Sequence, residues 1–196
     1  MKIVLVRHGE TTANVARLFC GHTDVLLTEK GIQQAEAAAE KLKDYKFTKM
    51  ISSDLRRARK TASIINHYHQ LPIDRERGLR EMNFGECEGY TYEELTKLKP
   101  ESFKGDRVGK WNFIFPGGES LEVMSSRIRA CIDRIRQEAD EEDTILIVAH
   151  AGVIRMVLAL EIARSNESYW RFDIDNCGIT ELRYHKEFCM MTKLNG

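Results

Sequence analysis

A three-layer α/β/α sandwich with a mostly parallel central sheet is the fold class this sequence predicts, and three observations carry it. Short apolar runs rich in β-branched residues, Lys2 to Val6 (KIVLV) and Thr144 to Ala149 (TILIVA), read as central strands covered on both faces. Segments of helical spacing alternate with such runs, the mark of a parallel sheet with helices on both sides. Near the carboxyl end, GITELRY and FCMMTKL flank His185-Lys186 and read as a closing pair of strands, giving the sheet an antiparallel edge.

In chain order, Lys2 to Val6 is the first strand and Met50 to Ser53 resembles another. Between them Thr28 is placed to cap a helix running to Leu42, in which Ile32, Ala35, Ala39 and Leu42 form one apolar stripe. The same spacing recurs from Leu55 to Ile65 and from Leu121 to Ile135. Residues 82–118, rich in Gly, Lys and aromatics, predict a lid-like excursion over the sheet. It holds one short helix after Thr91, where Thr91 and Glu94 can form a capping box. Excursions of this kind often supply substrate selectivity.

The 196 residues suit a single domain, and with three prolines and no repeat no linker is visible. Thirty Lys plus Arg balance thirty Asp plus Glu, so no global field gathers nucleic acid or an anionic membrane, and any anion selectivity must be local. The apolar run Ile3 to Val6 is too short for a signal h-region, and nothing approaches the ~20 residues of a membrane span, so a cytoplasmic protein is expected. Five scattered cysteines without a C-x-x-C pair argue against disulfides or a zinc site.

Ligands of open α/β sheets sit beyond the carboxyl ends of the strands, and reactive groups stand at three such ends. Arg7 and His8 follow the first strand, Ser53 to Arg57 the second, and His150 follows TILIVA. Ala151 and Gly152 after His150, and the turn at Ser53-Asp54, would offer a phosphate the free N–H groups of a helix start. Arg57 would add a planar fork of donors. A neutral imidazole can attack phosphorus and form a covalent intermediate, while flanking cations favour the neutral ring and offset charge on the transferring group.

The segments VRHGETTAN, SSDLRRARKTA, LREMNFGECEG and VAHAGVIR resemble, in order and spacing, the four signatures of the histidine phosphatase superfamily, in the branch of phosphoglycerate mutases and small phosphatases. The resemblance implies a phosphohistidine on His8, phosphate gripped by Arg7, Arg57 and His150, Glu81 as proton donor to the leaving oxygen, and Asn14 as a further phosphate contact. Arg57 is preferred to Arg56 because it matches the family's arginine directly before alanine. LFCGHTDVLLTEKGIQQA and SYWRFDIDNCGITEL look most like the α-ribazole phosphatases of cobalamin synthesis, which adds Gly21 to the expected substrate contacts, beside the helix start at Ala151. The mutases carry basic residues just past the acid, whereas Met82, Asn83 and Phe84 offer none; Lys104, Arg107 and Lys110 lie further on and could partly fill that role.

Other signals have plainer readings. His67 and His69 fit an exposed helix end, and no metal or organic cofactor is expected. Cys177 to Arg183 has the spacing of a cysteine phosphatase loop but alternates like a strand. Trp111, Phe113, Phe115, Tyr169 and Trp170 are either core filler or a platform for a flat base. The expectation is a phosphatase for a small-molecule phosphate monoester, with turnover best at mildly acidic to neutral pH. A mutase, a broad sugar-phosphate phosphatase, or a phosphate-binding module without turnover are the alternatives; a homodimer is left open.

Overall fold

The computed structural model describes residues 1–98, 111–186 and 188–196. Six strands form one sheet: β1 (Lys2–Arg7), β2 (Lys49–Ser53), β3 (Ile73–Glu76), β4 (Thr144–Ala149), β5 (Ile179–His185) and β6 (Phe188–Lys193). Their spatial order is β3-β2-β4-β1-β5-β6, with β1 to β4 parallel and β5 and β6 antiparallel. The closing pair therefore lies where GITELRY and FCMMTKL placed it. Strand β3 has no counterpart in the sequence reading, because its residues IDRE carry three charges and sit on the sheet edge, where no apolar run is required.

Alternation along β1 divides the core. Val4 and Val6, with Met50, Leu146 and Val148, pack under α2 (Glu29–Leu42) and α3 (Arg56–Ile65) through Ala35, Ala39, Leu42, Ala58, Ala62 and Ile65. Ile3 and Leu5, with Ile51, Ile145 and Ile147, face the opposite layer, α5 (Leu121–Gln137) and α6 (Ala151–Leu158). That layer contributes Met124, Ile128, Ile132, Val153 and Val157. Strands buried on both sides need apolar residues at every position, which is why β1 and β4 read as unbroken runs.

Helix starts follow their caps. Thr28 accepts from the Gly31 N–H and Ser120 from the Val123 N–H. Thr91 and Glu94 form the expected box at the start of α4 (Tyr92–Leu98), each side chain accepting from the other's backbone N–H at 3.2 and 2.8 Å. A one-turn helix α1 (Thr12–Val15) and a π turn at Ala159–Ala163, ended by Arg164 at φ 49°, were not anticipated. Lys104, Arg107 and Lys110 lie outside the described residues. Among the described residues, no helix is long and apolar enough to cross a membrane.

Register decides what happens at the sheet's carboxyl edge. Arg7 pairs with Ala149, and Ser52 pairs with Val148 on the other side of β4, so His8, His150 and Ser53 leave three adjacent strands at one level. The chain leaves β1 toward β2 and leaves β4 toward β5, on opposite sides, opening a crevice between their ends.

Candidate active site

His8 is buried, with its backbone held on both sides. Its N–H donates to the Ala149 carbonyl at 2.9 Å and its carbonyl accepts from Asn176 Nδ2 at 3.0 Å. The Gly9 N–H donates to Thr61 Oγ1 of α3 at 3.1 Å. The imidazole Nδ1 lies 2.7 Å from the Gly9 carbonyl, which can only accept; the neutral ring therefore carries its proton on Nδ1 and keeps the Nε2 lone pair free. Burial first, then the Arg57 and Arg7 charges, hold the His8 pKa well below its ordinary value. A buried imidazole with a fixed tautomer and an open lone pair is a nucleophile's arrangement.

His150, also fully buried, caps α6 and sets its ring edge-on to His8, centroids 5.1 Å apart. Its Nε2 lies 2.8 Å from Ser53 Oγ, and its Nδ1 is buried without a partner among the described residues. Burial, then Arg57 and His8, keeps its pKa far below the usual histidine range. Arg57 is 1% exposed; its Nη1 donates to the Thr23 carbonyl at 2.9 Å and its Nη2 to the Gly21 carbonyl at 2.7 Å. Arg7 donates from Nη1 to the Ile174 carbonyl at 2.6 Å, and its Nε is buried and unpartnered. Among the described residues neither guanidinium has a carboxylate hydrogen-bond partner. Burial lowers the Arg7 pKa and the nearby Glu81 charge opposes that shift, so two guanidiniums this desolvated favour a further anion in the crevice.

At the turn Ser53-Asp54 the helix-start N–H groups of Leu55 and Arg56 donate to Ser53 Oγ at 3.5 Å and to Asp24 Oδ1 at 2.7 Å. Ser53 Oγ serves His150, and Asp54 takes Arg80 in a two-pronged pair at 2.7 and 2.6 Å. Gly152 is similarly occupied, its N–H donating to Glu81 Oε2 at 2.9 Å, while Glu81 Oε1 accepts from the Met82 N–H at 2.9 Å. Arg127 of α5 anchors the loop under Glu81 by donating to the Gly78 and Arg80 carbonyls, both at 2.8 Å, and by pairing with Glu119 at 2.5 Å. Sequence reading missed Arg127, Ser53's role, Thr61 and Asn176. Helical spacing could have flagged Arg127 alone, as a charge three positions after the buried Met124 and four before the buried Cys131.

Two cavities meet at this edge. One, of about 270 Å³, is walled by Arg7, His8, Asn14, Cys20, Glu81 and Ala151. The other, of about 350 Å³, is walled by Phe84, Phe113, Phe115, Tyr169, Trp170 and Arg155. Glu81, Phe19, Phe84 and Ala151 border both. Asn14 completes a cap with Thr11, its Oδ1 accepting from the Thr11 N–H at 3.0 Å, while its side-chain NH₂ has no protein partner among the described residues. Gly21 lines neither cavity; it presents its carbonyl to Arg57, and a Cβ there would meet the Met82 carbonyl oxygen at 1.8 Å. Arg7, His8, Arg57, Glu81, His150 and Ala151 are thus brought together, Asn14 lies on the wall, and Gly21 acts from behind.

A model of the histidine phosphatase superfamily, branch 1, matches residues 3–196. The chain belongs to that superfamily. It is a histidine-type phosphatase, as the four sequence signatures implied. It is 31% identical over 196 residues to the adenosylcobalamin/α-ribazole phosphatase of Escherichia coli, covering 100% of this chain and 96% of that one. It is also 41% identical over 157 residues to phosphoglycerate mutase-like protein 4 of Arabidopsis thaliana, 79% of this chain and 68% of the relative. The crystal structure of the α-ribazole phosphatase from Shigella flexneri superposes with a TM-score of 0.93 at 32% identity, over 100% of this chain and 96% of that one.

Proposed function

We propose that this phosphatase hydrolyses a phosphate monoester through a phosphohistidine on His8, and that its substrate is α-ribazole 5'-phosphate. His8 Nε2 attacks phosphorus, the bond to the ester oxygen breaks, and that oxygen leaves with the electron pair and takes a proton from Glu81. Water then attacks phosphorus from the vacated side. Glu81 receives its proton, the P–N bond breaks, and free phosphate and neutral His8 remain. Arg7, Arg57 and His150 offset the charge on the equatorial oxygens, and the Asn14 amide adds a donor. The observation that carries this reading is the free Nε2 of His8, its tautomer fixed by the Gly9 carbonyl, standing among two guanidiniums that make no hydrogen bond to a carboxylate among the described residues.

The substrate assignment is supported by the cavity beside Glu81, whose aromatic walls suit a flat leaving group far better than a small acid, and by the α-ribazole phosphatase relatives that align over the whole chain. Arg155, the one basic side chain on that wall among the described residues, favours a second reading, since it gives a phosphoglycerate carboxylate a counter-ion.

Rates on α-ribazole 5'-phosphate, 3-phosphoglycerate and an aryl phosphate separate the readings. A preference on the order of several hundredfold for the first is expected, and isomerised phosphoglycerate would reverse the assignment. For the mechanism, brief exposure to substrate is expected to leave an acid-labile, alkali-stable phosphoryl label on His8. His8→Ala should lose the label and roughly a thousandfold or more of kcat; normal turnover in that variant overturns the mechanism.

A further inference from the structure

We infer that Ser53 is a positioning residue for phosphoryl transfer: its hydroxyl holds His150 in the tautomer that carries the proton on Nδ1, so that Nδ1–H donates to the transferring group. The inference rests on the phosphohistidine reading above and adds to it a residue that never touches substrate.

Proton accounting at Ser53 carries it. Oγ is buried and has two hydrogen-bond neighbours among the described residues, the Leu55 N–H at 3.5 Å, which can only donate, and His150 Nε2 at 2.8 Å. With Oγ already accepting from Leu55, the hydroxyl proton has one acceptor within reach, the Nε2 lone pair. The opposite tautomer would leave the hydroxyl proton buried without an acceptor. It would also turn a bare lone pair on Nδ1 toward the proposed phosphoryl anion, where only a donor is favourable. Nδ1 is buried and has no partner among the described residues, so its donor is unspent until a ligand arrives. Burial and the Arg57 charge disfavour protonation at both nitrogens, so the choice of tautomer alone decides whether His150 can donate. Ser53 is itself fixed from outside. The adjacent Asp54 is clamped by Arg80, and the Arg56 N–H donates to Asp24 Oδ1 at 2.7 Å.

Histidine-¹⁵N-labelled protein tests this through two-bond ¹H–¹⁵N correlations, with the His150 signals assigned from His150→Gln. The wild type at neutral pH is expected to show Nδ1 protonated and Nε2 bare; Ser53→Ala should mix the two forms. On an aryl phosphate, Ser53→Ala should lower kcat/KM on the order of 10²-fold and weaken vanadate inhibition by a similar factor. Ser53→Thr, which keeps the hydroxyl, should recover most of both. A wild-type His150 protonated on Nε2, or a Ser53→Ala variant with unchanged kcat/KM and vanadate affinity, overturns the inference. Should the wild type neither turn over nor label on His8, the mechanism fails and the tautomer is judged by inorganic phosphate alone. A downfield shift of the Nδ1–H resonance on phosphate binding supports it, and an unmoved resonance refutes it.

Discussion

Position 152 holds a glycine inside the first turn of α6, where alanine would favour the helix by about 1 kcal/mol. The reason lies across the gap: a Cβ there would stand 2.1 Å from Glu81 Oε1 and 2.8 Å from the Tyr169 hydroxyl. Gly152→Ala should therefore fold with a near-normal melting temperature yet lose roughly 10²-fold in kcat, because Glu81 is pushed off the leaving oxygen. Unchanged kcat in a folded variant would remove Glu81 from the acid's role. Arg57 is constrained in a different way. Its fork spans the Gly21 and Thr23 carbonyls, and a lysine ammonium cannot hold both and still face an anion. Arg57→Lys should raise the vanadate inhibition constant by about 10²-fold, read from steady-state titration.

At the scale of elements, each site residue is placed by a partner elsewhere in the chain. Helix α3 supplies Arg57 and also Thr61, which braces the turn after His8 and donates back to the Arg57 carbonyl at 2.9 Å. Helix α5 supplies Arg127, whose contacts with the Gly78 and Arg80 carbonyls tie the Glu81 loop to the apolar layer beneath it. Arg127→Ala removes those donors and leaves Glu119 without its cation. We predict a stability loss of about 2–3 kcal/mol in urea unfolding, with at least a tenfold fall in kcat. A loss in stability with full activity would mean that the Glu81 loop holds its shape without α5.

Across the whole molecule, the site couples acidity to stability. His8 and His150 are kept neutral by burial and by the arginines, so their folded pKa values lie well below 6.5 while the unfolded chain titrates near 6.5. Below that pH the unfolded state binds protons that the native state refuses, and linkage makes stability fall as pH falls. The contribution is fully present above pH 6.5. It declines at about 1.4 kcal/mol per pH unit for each histidine until the depressed folded values are reached. Urea midpoints from pH 7.5 down to 5 should trace this decline, and His8→Asn/His150→Asn should flatten it; equal slopes in the two proteins would locate the acid sensitivity elsewhere. If the crevice of Arg7 and Arg57 binds phosphate only when folded, inorganic phosphate at 100 times its dissociation constant should stabilise the wild type by about 2.7 kcal/mol at pH 7.

The sequence by itself determined the layers, since apolar runs and helical stripes encode which faces are buried, and each strand's alternation is local information. It also pointed to the proposed set His8, Arg7, Arg57, Glu81 and His150, the two histidines and two arginines because they sit at strand ends or helix starts, and Glu81 because its family signature is contiguous. What only the tertiary structure decided is how that set is wired. Ser53 and His150 are 97 positions apart, Arg57 reaches back to Gly21 and Thr23, and Arg127 reaches from a core helix to a loop 47 residues earlier at Arg80. Those pairings depend on strand order and on a register shared by β2, β4 and β1, which no stretch of neighbouring residues records.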